Sequence, residues 1–194
     1  MLVFKKRLRK VLERNFLYGL SLWGRHKLDF TKISPDPWPS SFDLDITQIE
    51  SMCALSPKEI WQQFYFNSFE WLRDVKNSED LSVRTKIRNI IELWIKKHSK
   101  KLACSWIEWS PDAMGYRLWN WMVLFDFYGV SGSDAFRATL SKSIRQQAKQ
   151  LGRNWDDNPD PLCQLRALKG LLGYACIAGL HVEKWLRSEE HTSE

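Results

Sequence analysis

Between Ser56 and Leu180 apolar residues recur every three or four positions, and no stretch keeps the two-residue alternation of a half-buried strand. That spacing admits helices and excludes a sheet, so the chain is expected to be all-α, a succession of antiparallel helix pairs with short connections. Start signals divide the pattern. "SPKE" at 56–59 offers Ser56 as N-cap, Pro57 as first helical residue and Glu59 to complete a capping box. Behind it Trp61, Phe64, Tyr65, Leu72 and Val75 follow at helical spacing. A second helix, from about Leu81 to Lys97, aligns Ile87, Ile90, Ile91 and Trp94, and its basic last turn suits the negative end of the helix dipole. "SPDA" opens a third, with Met114, Leu118, Trp121, Met122 and Phe125 inward, which Gly129 and Gly132 stop. A fourth runs from Asp134 to Leu151 on Phe136, Leu140, Ile144 and Ala148 and is expected to end at Gly152. A fifth, Leu162 to Leu180, is expected to turn Leu165, Leu168, Leu172 and Ala175 inward.

Ahead of this region, residues 1–29 form a basic segment and residues 30–55 an irregular connection in which Pro35, Pro37 and Pro39 hold the backbone extended. Residues 56–186 make the helical domain. The basic start, Lys5 to Arg14, followed by apolar residues to Trp23, has the outline of a signal peptide, yet it is short and lacks a small-x-small cleavage site. Nor does any run approach the ~20 apolar residues of a membrane helix. A basic amphipathic helix lying on the domain or on a membrane surface fits better. Whether the protein works in the periplasm or the cytoplasm is left open.

The net charge of +6 favours anionic partners: nucleic acid, acidic polysaccharide or an anionic membrane. Nucleic acid is set aside, because beyond residue 14 the Lys and Arg are dispersed and no recognition motif occurs. The four cysteines show no C-x-x-C pair, and His26, His98 and His181 stand alone. No metal site and no cofactor are expected. The 11 tryptophans are expected mostly in the core.

The stretch "WIEWSPDAMGYRLWNWMVLFDFY" at 106–128 carries the chemistry of interest. On a helix, Tyr116, Arg117, Asn120 and Trp121 fall within about one turn of each other. A ring, a guanidinium and a carboxamide together suit a groove for a charged sugar, since arginine pairs bidentately with carboxylate or sulfate. The same residues could instead tie down a helix end, Arg117 bracing and Asn120 capping a buried backbone group. A groove role predicts that Arg117→Ala loses binding before fold, and a bracing role predicts the reverse.

The chain resembles the heparinase II/III-like polysaccharide lyases in the part that precedes their catalytic core. The matching stretches are "FNSFEWLRDV" (66–75), "IIELWIKKH" (90–98), "WSPDAMGYRLWNWM" (109–122) and "DPLCQLRALKGLLGYACIAGL" (160–180), within residues 38–186. The resemblance implies successive helices of an incomplete α/α toroid, with Tyr116, Arg117, Asn120 and Trp121 facing the groove for an acidic polysaccharide such as a glycosaminoglycan. It implies β-elimination: a Tyr or His base removes the proton beside the uronate carboxylate, and Asn, Arg or His neutralises that carboxylate. Tyr116 and Tyr128 lie in the right region but match no base motif. Family members often carry an Asn-His pair at the start of the helix corresponding to 160–180; this chain has Asn158 followed by Pro159, so the His is absent and Asn158 is a weak candidate. The catalytic His and Tyr and a C-terminal β-sheet domain would follow later and are missing from this chain, which is expected to be inactive alone. The alternative is a non-enzymatic helical binding or scaffold module for an anionic partner.

The ending "RSEEHTSE", 187–194, can be written in codons as the start of a common sequencing-library adapter and is expected to be non-native. Leaving out Arg187, Glu189, Glu190 and Glu194 raises the net charge from +6 to +8. A fragment cut at Leu186 would also leave an apolar face exposed.

Overall fold

A computed structural model describes residues 27–34, 44–55, 60–98 and 107–180. They form helices α1 (Ile46–Leu55), α2 (Ile60–Asn67), α3 (Leu72–Val75), α4 (Leu81–His98), α5 (Pro111–Val123), α6 (Phe125–Tyr128), α7 (Asp134–Asn154) and α8 (Pro161–Ile177). Two 3-10 turns, Phe30–Lys32 and Ile107–Trp109, complete the order, and no strand occurs among the described residues. The all-α expectation holds. Among these residues no helix is long and apolar enough to cross a membrane. The "SPKE" start, most of the basic segment and the "RSEEHTSE" ending lie outside the described residues.

Helix starts follow the chain's local chemistry. Ser133 accepts from the Phe136 N–H at 3.1 Å and Asp160 from the Leu162 N–H at 3.0 Å, each satisfying a donor that a first turn leaves open. Pro161 follows as first helical residue, where its missing N–H costs nothing. Ser110 stands at the start of α5 as expected, but its hydroxyl donates back to the Ile107 carbonyl at 2.8 Å.

Four expectations need correction. Residues 30–55 are not irregular throughout, because α1 lies within them. Its start is a capping box, Asp45 accepting from the N–H groups of Thr47 and Gln48 while Gln48 accepts from the Asp45 N–H at 2.9 Å. The third helix breaks at Leu124, whose φ of −100° and ψ of 9° separate α5 from α6. Gly152 does not end α7. Leu151 is wholly buried and Trp155 nearly so, and that burial outweighs the ~1 kcal/mol a helical glycine costs.

The fourth correction concerns α8. Leu165 and Leu172 point outward, 63% and 45% exposed, and the inward face is Ala167, Gly170, Leu171, Tyr174 and Ala175. The cause is backbone contact with α5. A Cβ placed on Gly115 would sit 2.2 Å from the Arg166 carbonyl oxygen, and one on Gly170 2.5 Å from that of Gly115. Only glycines allow this approach, so the narrow face of α8 turns inward and the leucines turn out.

Against α5 and α8 pack α2, α4 and α7, and the core between them is rich in indole. Trp71, Trp94, Trp109, Trp121 and Trp155 are all buried. Phe69 packs on three of them, 5.0 Å from Trp121, 5.3 Å from Trp71 and 5.8 Å from Trp94 between ring centres. Its φ of 56° is left-handed, a conformation bulky side chains avoid unless packing imposes it.

Candidate functional site

The turn that follows α2 needs partners. A helix leaves its last carbonyls without intrahelical donors, and the reversal at Phe69 prevents the next turn from supplying them. Two residues of α5, one turn apart, do so from the side. Arg117 Nη1 donates to the Asn67 carbonyl at 2.7 Å, and Asn120 Nδ2 donates to the Ser68 carbonyl at 3.1 Å. Arg-x-x-Asn thus grips two consecutive peptide groups just ahead of the strained residue.

Arg117 reaches further. The same Nη1 donates to the Glu108 carbonyl at 2.9 Å, and Nε donates to Gln147 Oε1 of α7 at 2.6 Å. Its guanidinium lies 4.2 Å from the centre of the Trp94 ring and 5.5 Å from that of Trp109, so two ring faces offer negative quadrupole to the charge. Burial pulls the guanidinium down to about 9, with the Glu108 charge opposing, so Arg117 remains a cation at neutral pH. Its Nη2 has no hydrogen-bond partner among the described residues.

Asn120 is also spent inside, its Oδ1 accepting from Arg73 Nε at 3.0 Å. Asn67 closes the arrangement, accepting on Oδ1 from Trp94 Nε1 at 2.8 Å and donating from Nδ2 to the Gln63 carbonyl at 2.8 Å. Trp121 is fully buried, edge-on to Phe69 and Trp94. Of the four residues singled out in the sequence, Arg117, Asn120 and Trp121 therefore face inward together. Tyr116 alone is only partly buried, set edge-on to Phe64, with the Arg166 guanidinium 5.2 Å from its ring centre.

Tyr128 is a packed tyrosine. It is fully buried, its hydroxyl donates to the Trp121 carbonyl at 2.8 Å, and burial holds it well above the ordinary phenol value. Asn158 caps locally, accepting the Asp160 N–H on Oδ1 at 3.0 Å and the Gln164 side-chain N–H on its carbonyl at 2.7 Å. Cys163, near Asp160 and Asp112, is pushed up to about 12, first by burial and then by the Asp160 carboxylate, so its thiol stays protonated.

His98 escaped notice in the sequence as a site residue. It stacks on Trp94 at 4.5 Å, with Nδ1 3.8 Å from Glu108 Oε1. Beside it lies an open cavity of about 130 Å³ lined by Phe66, Ile90, Leu93, Trp94, Lys97 and His98. The signal available was the i, i+4 spacing of Trp94 and His98. No protein-family model, no curated protein and no solved structure matches the chain.

Proposed function

We propose that the chain is the N-terminal α-helical part of a heparinase II/III-like lyase that cleaves uronic-acid-containing polysaccharide by β-elimination. Its helices are then antiparallel pairs of an incomplete α/α toroid, and the proton-abstracting residues and a β-sheet domain belong to sequence beyond Leu186. The observation that carries the reading is spatial. The four stretches that resemble the family are far apart in sequence, yet they meet on one helix. Asn67 of the first and Trp94 of the second join Trp109 and Arg117 of the third, and Gly170 of the fourth rests on Gly115.

On this reading Arg117, Asn120 and Trp121 hold the wall of the sugar groove in shape, and Tyr116, with Arg166 over its ring, meets substrate at the rim. The pair joins an aromatic face to a cation, the combination a uronate ring calls for. A second reading, a non-enzymatic helical module for an anionic partner, is favoured by one fact: Arg117, Asn120, Tyr128 and Asn158 all direct polar groups to the fold itself.

The test is to express the chain with its native reading frame restored beyond Leu186 and to incubate it with polygalacturonate, hyaluronan and heparin. The lyase reading expects unsaturated uronate products absorbing near the ultraviolet edge. A stop codon directly after Leu186, or no such product from any acidic polymer, overturns it in favour of the binding module.

A further inference from the structure

From Arg137 onward α7 carries Arg137, Lys142, Arg145, Lys149 and Arg153 and not one Asp or Glu. At 3.6 residues per turn, Lys142, Arg145, Lys149 and Arg153 fall within an arc of about 80° along about 16 Å of helix. The opposite face, with Leu140, Ile144, Ala148 and Leu151, is wholly buried, so Lys142, Lys149 and Arg153 stand outward, while Arg145 is half-buried with its Nε inside. Lys142, Lys149 and Arg153 are exposed, and no ion pair among the described residues engages them. Asp134, the one acid of the helix, pairs with Arg137. Like charges four apart, as at Lys149 and Arg153, repel one another on a helix. A row of this kind is relieved by a partner that brings repeated negative charge.

We infer that α7 is a docking surface for a linear sulfated or carboxylated polysaccharide. Exposed Gln146 lies among the cations and offers a carboxamide to sugar hydroxyls. It also borders a shallow cleft shared with His98, Trp94 and Trp109, so the row leads toward the Arg117 cluster. A single-stranded nucleic acid would need aromatic platforms for its bases. None of the exposed residues of α7 is aromatic. The inference rests on the ligand class proposed above but not on catalysis, and α7 is not among the stretches that resemble the lyases.

The test uses the 194-residue chain, fluorescein-labelled heparin and a labelled oligothymidylate, read by anisotropy over a series of salt concentrations. Replacing Lys142, Lys149 and Arg153 together by Gln is expected to weaken heparin binding about tenfold or more and to flatten its salt dependence, with the helical circular dichroism unchanged. A charge-matched control, Lys27→Gln with Lys32→Gln and Lys96→Gln, is expected to change it by less than about threefold. Equal loss in the control, no heparin binding by the parent chain, or tighter binding of the oligothymidylate overturns the inference. Heparin binding through α7, with no eliminated product from the extended chain, supports the docking surface and removes the lyase reading alone.

Discussion

The guanidinium of Arg117 lies 4.2 Å from the centre of the Trp94 ring, and both side chains are buried. A desolvated pair of this kind contributes ~2 kcal/mol. Its larger consequence is positional: the cation that stacks on α4 also holds the end of α2, the Glu108 turn and α7. Among the described residues no carboxylate forms a hydrogen bond with it. Carbonyl and carboxamide oxygens, two indole faces and the more distant charge of Glu108 balance it instead.

Asn120→Asp keeps the side chain's volume and its acceptor toward Arg73 but turns the donor facing the Ser68 carbonyl into a second acceptor. A loss of ~2 kcal/mol is expected in urea unfolding, the cost of a buried carbonyl left without its donor. Unchanged stability would mean that the turn before Phe69 does not depend on this bond.

Gly115→Ala is expected to destabilise by ~3 kcal/mol or to prevent folding, because the new methyl meets the backbone of Arg166 and Ala167, which cannot rotate away. Gly173→Ala meets Met122 and Trp119 side chains, and the flexible methionine should limit its cost to ~1 kcal/mol. Thermal denaturation of the two variants gives the order, and a reversed order contradicts the backbone contact of α5 and α8.

Acid should weaken the helix and turn starts. Asp29, Asp45 and Asp80 lie below the ordinary carboxylate value of 3.8, chiefly through hydrogen bonds from Thr31, Thr47 and Ser82, and Asp160 chiefly through the Leu162 N–H. Each folded value is depressed, so the unfolded chain takes up protons first as pH falls below 3.8. Their stabilisation is complete above that pH and is lost as pH falls through the lower folded values. Asp45→Asn with Asp160→Asn keeps capping ability and removes the titration. Urea midpoints at about pH 5 and about pH 3 should therefore differ less in that variant than in the parent.

Cys163 should resist alkylation. The thiolate is the reactive form, and burial with the neighbouring Asp160 and Asp112 carboxylates holds the thiol at about 12. Iodoacetamide at about pH 8 is expected to leave Cys163 unmodified in the native protein and to label it in denaturant, as read by peptide mass. Fast native labelling would mean that the start of α8 opens readily.

Much of this was legible along the chain, because helices declare themselves in local spacing and caps. Ser133 and Asp160 act as caps, and Ile87, Ile91 and Trp94 are buried where their periodicity put them. The Asp45–Gln48 box was equally local but overshadowed by the prolines before it. The outward turn of Leu165 and Leu172 was not legible. Periodicity identifies a leucine stripe, whereas the Gly115–Gly170 contact that rotates it away joins residues 55 apart in the sequence. At Arg117 the sequence offered both a groove and a brace, and which carbonyls lie within reach depends on the reversal at Phe69.

The most direct measurement takes Arg117→Ala through urea unfolding and polygalacturonate anisotropy on the same preparation. Removal of the guanidinium leaves two part-buried carbonyls and the buried Gln147 without a donor, and a loss of ~4 kcal/mol is expected, with the molecules that remain folded binding the polymer as the parent chain does. Parent-like stability with polymer binding abolished would contradict the bracing role and return Arg117 to the groove.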